Sequence, residues 1–226
     1  MNINDYSKLF LVNKPIRWTS FDIVKKIRSS IKKKYNLKKL KVGHAGTLDP
    51  LATGLMIICT GKKTKIIEEF LNLNKKYSAT VKLGAITDSY DRETIERDKK
   101  SLTDLELKKI RKIVLGFVGE YEQSPPIFSA IKLDGEPLYK KARRGERICG
   151  VKKRKVVVKD IEIKEINLPF ISLNVHCSKG TYIRSLANDM GQKMGCGGYL
   201  YSLIRTEIGD FNLNDAIEIS QIEHFI

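Results

Sequence analysis

The sequence predicts a mixed α/β (α+β) fold, a largely antiparallel sheet flanked by helices and loops, and three observations carry that prediction. KKYSATVKLG and the set Ile171, Leu173, Val175 and Cys177 alternate apolar with polar residues, the period of half-buried strands. Ile23, Val24, Ile27 and Ile31 instead recur with the period of a helix. Strand and helix signals follow one another irregularly, with hairpin cues such as Asp134-Gly135, which disfavours a regular parallel sheet.

The chain has 226 residues, with no internal repeat or low-complexity linker, so a single domain over residues 1–226 is expected. Lys and Arg number 42 against 26 Asp and Glu, a formal charge of +16. That balance calls for a polyanionic partner. Nucleic acid is favoured over a membrane, because no apolar run is long enough to span a bilayer and no signal peptide is present. Cys59, Cys149, Cys177 and Cys196 form no CxxC pair and fit reduced thiols of a cytoplasmic protein. His44, His176 and His224 are equally scattered, so spacing offers no metal site.

In chain order, LFLV at 9–12 is a strand, and a helix follows with Ser20 as its N-cap. Nine basic residues and no acidic one lie between Lys25 and Lys41, a pattern expected of a phosphate-contacting surface. LMIICT is a buried strand, Ile66 to Leu71 a short helix, and KKYSATVKLG a strand with Tyr77 on its apolar side. Residues 87–98 read as a solvent loop. Thr103 and Glu106 form a capping-box pattern for a helix whose Leu107, Ile110, Ile113 and Val114 face inward and which ends at Gly116. Strands then fall at FVGEYEQ, Val156–Ile166 and Ile171–Cys177, with a second basic cluster, nine positive residues against Glu146, from Lys140 to Lys155. KGTYIRSLANDMGQKMG is a turn into a helix, LYSLIRTEIG is a last strand, and a short helix closes the chain.

The candidate for chemistry is the stretch Gly43 to Gly54, which packs three glycines, His44, Thr47 and an Asp49-Pro50 step before a buried strand. Such a loop can hold one carboxylate in a fixed place, and Asp49 is that carboxylate. Asp before Pro is equally the pattern of a helix N-cap, and the residues alone leave both readings open. A phosphate-loop reading of Gly54 and Gly61-Lys62 fails on spacing, and Lys63 stands where Ser or Thr is needed. Tyr77 by itself also fits an ordinary core aromatic, and Arg184 a surface ion pair.

Taken together, NKPIRWTS, GHAGTLDPLATG, KKYSATVKLG, PPIFSAIKLDGEPLYKKARRG, HCSKGTYIRSLANDMG and GCGGYLYSLIRT resemble the catalytic domain of the TruB family of bacterial tRNA pseudouridine synthases. The resemblance runs in order from about Leu9 to about Asn212, and GHAGTLDPLATG and CSKGTYIR are its specific parts.

The resemblance implies the pseudouridine synthase fold and isomerisation of uridine 55 in the tRNA T arm. The base leaves N1, turns and rejoins through C5. No atom or electron enters or leaves overall, so no cofactor is implied. Asp49 is implied as the catalytic carboxylate acting on the sugar, Arg184 as its cationic partner, and Tyr77 as the tyrosine that stacks on the base and carries the C5 proton. Tyr182 and Leu203 are implied as pocket walls, and His44 as a contact to nucleotides displaced when the uridine is flipped out. The expected partner is the tRNA T arm, for a cytoplasmic monomer with no obligate protein partner.

Arg17 departs from the family pattern by standing where many members carry glycine, and no C-terminal PUA domain is expected within 1–226. Two rival readings share the basic surface: the RNA-guided synthase of archaea and eukaryotes, and a tRNA-folding chaperone that would not need Asp49.

Overall fold

Residues 6–148 and 150–226 are described in a computed structural model of the chain; Cys149 lies outside them. The first elements are β1 (Leu9–Lys14), α1 (Ser20–Lys34), β2 (Val42–His44), β3 (Thr53–Thr60), α2 (Ile67–Asn72) and β4 (Lys75–Leu83). Next come α3 (Leu107–Leu115), β5 (Gly119–Gln123), β6 (Lys132–Leu133), β7 (Glu136–Pro137) and α4 (Leu138–Arg143). They are followed by β8 (Arg154–Asn167), β9 (Phe170–Cys177), α5 (Ile183–Met194), β10 (Gly198–Ile208), β11 (Phe211–Asn212), β12 (Ile217–Glu218) and α6 (Ile222–Phe225). The fold class is the expected one, mixed α/β with mostly antiparallel strand pairing. The chain forms two compact units, one of residues up to Tyr77 with Leu203–Ile226, the other Ser78–Ser202.

In the first unit β3 is the central strand. Its residues from Gly54 to Thr60 are all buried, which is why this run is continuously apolar rather than alternating. β1 pairs with it antiparallel, placing Lys14 opposite Gly54, and the end of β10 pairs parallel, placing Arg205 opposite the same Gly54. Two cations therefore flank one glycine across three strands. Ala45, Leu55, Ile57, Cys59 and Ile208 form a fully buried cluster, against which Leu9, Leu11, Ile67 and Phe70 pack. The stripe Ile23, Val24, Ile27 and Ile31 of α1 is buried as its period requires.

The N-cap of α1 is Thr19, one residue before the expected Ser20. Thr19 accepts from the Asp22 amide, and the Asp22 carboxylate accepts from the Thr19 amide, a complete capping box. Ser20 is thereby left for another task.

In the second unit β9 pairs antiparallel with β8, and β8 with β5. Helix α3 starts at Leu107, not Thr103, because Ser101 and Thr103 hydrogen-bond each other and a turn from Leu102 to Leu105 takes the backbone. The later start turns Leu107 to solvent while Ile110 and Val114 stay buried. Residues 87–98 also differ from the solvent loop expected, since Thr87, Ser89 and Asp91 are buried. A Cβ at Gly191 of α5 would meet the Gly198 amide nitrogen at 2.1 Å, so this helix lies directly on the start of β10. Among the described residues no helix is long and apolar enough to cross a membrane.

Candidate active site

Asp49 does not cap a helix. Its carbonyl accepts from the Ala52 amide at 3.0 Å in a short turn, and the chain then enters β3. Side chains from other elements grip the loop on both sides of Asp49. The buried Ser20 hydroxyl donates to the Leu48 carbonyl (3.1 Å) and accepts from the Leu48 amide (2.9 Å). Lys14, inaccessible to solvent at the end of β1, donates to the carbonyls of Pro15 (3.0 Å), Trp18 (2.7 Å) and Pro50 (3.4 Å). The Arg17 amide reaches the same Pro50 carbonyl at 2.7 Å.

Arg205 completes the frame. It is 1% exposed, and its guanidinium donates to the carbonyls of Leu55 (2.7 Å), Gly46 (3.1 Å) and Thr47 (3.4 Å). It also hydrogen-bonds the Tyr77 side chain and feels the Asp49 charge. Burial pulls the Arg205 pKa down, and Tyr77 and Asp49 oppose that pull. Burial likewise lowers Lys14 from 10.5 to about 8, against the attraction of Asp49. The strands carrying these residues approach so closely because residue 54 is glycine: a Cβ there would meet the Arg205 carbonyl oxygen at 2.4 Å, at a φ of +108°.

Of the sequence-selected residues, the first unit gathers Asp49, Tyr77 and His44 around Arg205. Tyr77 is buried on the inner side of β4. His44 is half-buried, and burial and Arg205 lower its pKa below the ordinary 6.5, which favours the neutral imidazole at pH 7. Leu203, 8% exposed, lies two residues before Arg205 on the same face of β10.

Tyr182 and Arg184 belong to the second unit. Arg184 is not a surface residue: it is 3% exposed and donates to the carbonyls of Ser89 (3.0 Å) and Phe128 (2.9 Å), with Asp91 at 3.7 Å. Asp91 is itself held by the Ser89 hydroxyl (2.6 Å) and the Glu93 amide (2.9 Å). The Tyr182 backbone exchanges two hydrogen bonds with the buried Gln123 side chain, and the Arg154 guanidinium lies 5.1 Å from the Tyr182 ring centre.

The basic clusters are only partly available for phosphate. Arg28 donates to the Val42 carbonyl, Lys26 pairs with Glu223, Arg143 with Glu93, and Arg144 with Glu136 and Glu146. Lys25, Lys33, Lys38, Lys39 and Lys41 are exposed, as are Lys140, Arg147, Lys152, Lys153 and Lys155.

The family model for TruB family pseudouridylate synthase (N terminal domain) matches residues 32–183, and that for the tRNA pseudouridylate synthase B C-terminal domain matches 184–226. The chain belongs to the TruB family. It is 47% identical over 227 residues to the tRNA pseudouridine synthase B of Phocaeicola vulgatus, covering 100% of this chain and 95% of that one. The tRNA pseudouridine synthase B of Flavobacterium johnsoniae is 49% identical over 218 residues, 96% of this chain and 94% of the relative. Among solved structures, a chain of a Cbf5-Nop10-Gar1 complex superposes with a TM-score of 0.72 at 27% identity. That likeness covers 98% of this TruB-family chain and 55% of the solved one.

The sequence assigns no site role to Lys14, Asp91 or Arg205, and to Ser20 only that of an N-cap. A signal existed for three of them, since Lys14 and Ser20 lie within NKPIRWTS and Arg205 within GCGGYLYSLIRT.

Proposed function

We propose that this TruB-family chain isomerises uridine 55 of the tRNA T arm to pseudouridine, with Asp49 as the catalytic carboxylate. The observation that carries the reading is the match, over nearly the whole length of both chains, to relatives that bear the name tRNA pseudouridine synthase B. The loop geometry supports it: both neighbours of Asp49 are held by hydrogen bonds from buried side chains, the preorganisation that a reacting group needs.

In this reading the uridine is flipped out of the RNA fold. As the N1–C1′ bond breaks, positive charge grows at C1′, and Asp49 stabilises or traps it. The base turns, C5 bonds to C1′, the C5 proton leaves and N1 gains one, so the atoms balance without a co-reactant. Tyr77 stacks on the base and its hydroxyl takes part in moving the C5 proton. Leu203 supplies an apolar wall, and His44 meets the displaced nucleotides as a neutral donor or acceptor. Arg184 and Tyr182 are assigned to turnover by the family resemblance, as a required cation and a pocket aromatic. The enzyme works as a cytoplasmic monomer on the T arm, and sedimentation with and without tRNA checks the monomer.

The test is tritium release from C5-labelled uridine in full-length tRNA, isolated T arm and unrelated RNA. Asp49→Asn is expected to abolish release and keep tRNA binding, which also separates catalysis from a chaperone role. Release at the wild-type rate by this variant sinks the assignment of Asp49.

A further inference from the structure

Arg205 is too buried to touch RNA, yet it is the side chain most extensively tied to the loop that carries Asp49. A desolvated guanidinium is costly to bury unless it is hydrogen-bonded, and here it satisfies three backbone carbonyls, so it contributes to the fold. Its geometry gives it a second task. The Gly46 and Thr47 carbonyls lie before Asp49 in the chain and the Leu55 carbonyl after it, so one planar group holds both ends of the loop. The same guanidinium reaches the Tyr77 side chain on β4.

We propose that Arg205 is a positioning residue for turnover, its rigid fork fixing the loop of Asp49 and the side chain of Tyr77 relative to each other. This rests on the assignment of Asp49 made above. Lysine keeps the charge at position 205 but offers a single point donor, which cannot serve three diverging carbonyls and a tyrosine with the same geometry.

Arg205→Lys is compared with the wild type for kcat on tRNA, tRNA Kd and thermal midpoint. The expected result is a folded protein with tRNA Kd within about twofold of wild type and kcat lower by about 100-fold, the scale of an ångström-sized misplacement. A purely structural role would move the thermal midpoint and leave kcat of the folded enzyme unchanged. The proposal is overturned by a kcat within about threefold of wild type, or by a loss of kcat matched by an equal loss of tRNA binding.

Arg205→Gln gives a second perturbation should Arg205→Lys not fold. Its uncharged planar amide has two N–H donors and can serve at most two of the three carbonyls. The same loss of kcat with retained tRNA binding is expected, and an unchanged kcat overturns the proposal. Asp49→Asn distinguishes the two layers: if it stays active the Asp49 assignment fails, whereas an inactive Asp49→Asn beside a fully active Arg205→Lys refutes only the role of Arg205.

Discussion

The Ser20 hydroxyl satisfies both backbone polar groups of Leu48, the residue before Asp49, as donor to its carbonyl and acceptor from its amide. Ser20→Ala leaves a buried N–H and C=O without that partner, which costs about 1–3 kcal/mol. For a chain of this size the thermal midpoint should drop by about 2–4 °C per kcal/mol. Turnover should fall by about tenfold as the loop loosens, with tRNA binding retained. Thermal melts and tritium release measure the two effects, and a wild-type rate at lowered stability would confine Ser20 to folding.

Arg17 has a φ of 69°, in the left-handed region, and its side chain is exposed. A non-glycine residue there costs about 1–2 kcal/mol, while glycine costs about 0.4–1 kcal/mol through the freedom it gives the unfolded chain. Arg17→Gly should therefore stabilise by a net of about 0.5 kcal/mol. The Arg17 amide bond to Pro50 survives the change. A urea midpoint that moves down instead of up would show that the arginine side chain contributes more than its exposure implies.

Lys14 should give the enzyme an alkaline limb. Its folded pKa, about 8, lies below its ordinary 10.5, so raising the pH through 8 removes the charge beside Asp49 and one of the donors to the loop. The folded chain binds fewer protons than the unfolded one between these values, so this group's contribution to stability grows with pH while activity declines. Single-turnover rates from pH 7 to 9 should fall with an apparent pKa near 8. In Lys14→Arg that limb should vanish, and its persistence would assign it elsewhere.

RNA binding should weaken steeply with salt. Lys38 and Lys39 are exposed beyond the end of α1, and removing one lysine–phosphate pair should reduce the slope of log K against log salt by roughly 0.7–0.9. Lys38→Gln and Lys39→Gln together are expected to show about twice that reduction with kcat unchanged. Filter binding across a salt series reads the slope, and an unaltered slope would remove this segment from the RNA footprint.

Most elements were legible because their signals are local. The alternation of Tyr77, Ala79, Val81 and Leu83 and the stripe of α1 need only a short window, and the turn residues of 43–54 announce a shaped loop. Burial of cations is not local. Lys14 closes a strand and Arg205 follows Leu203 and Ile204, and nothing in either one's own neighbourhood marks it as buried; three strands bring both to Gly54. Arg184 gave the same difficulty, because Asp91 sits in a segment that looked solvated. The start of α3 failed differently. Thr103 and Glu106 fit the capping pattern, but the Ser101–Thr103 hydrogen bond competes for the same backbone.

The close approach of Gly54 to Arg205 limits how this part of the protein can be exchanged between relatives. A donor loop spanning 43–60 arrives with the residue that must lie flat against the recipient's strand β10, whose backbone comes within 2.4 Å of a Cβ built there. Loop and strand are thus one packing unit, though some 150 residues of chain separate Leu55 from Arg205. Chimaeras that transplant the loop together with β10 should keep their activity, and those that bring a side chain at 54 should lose it.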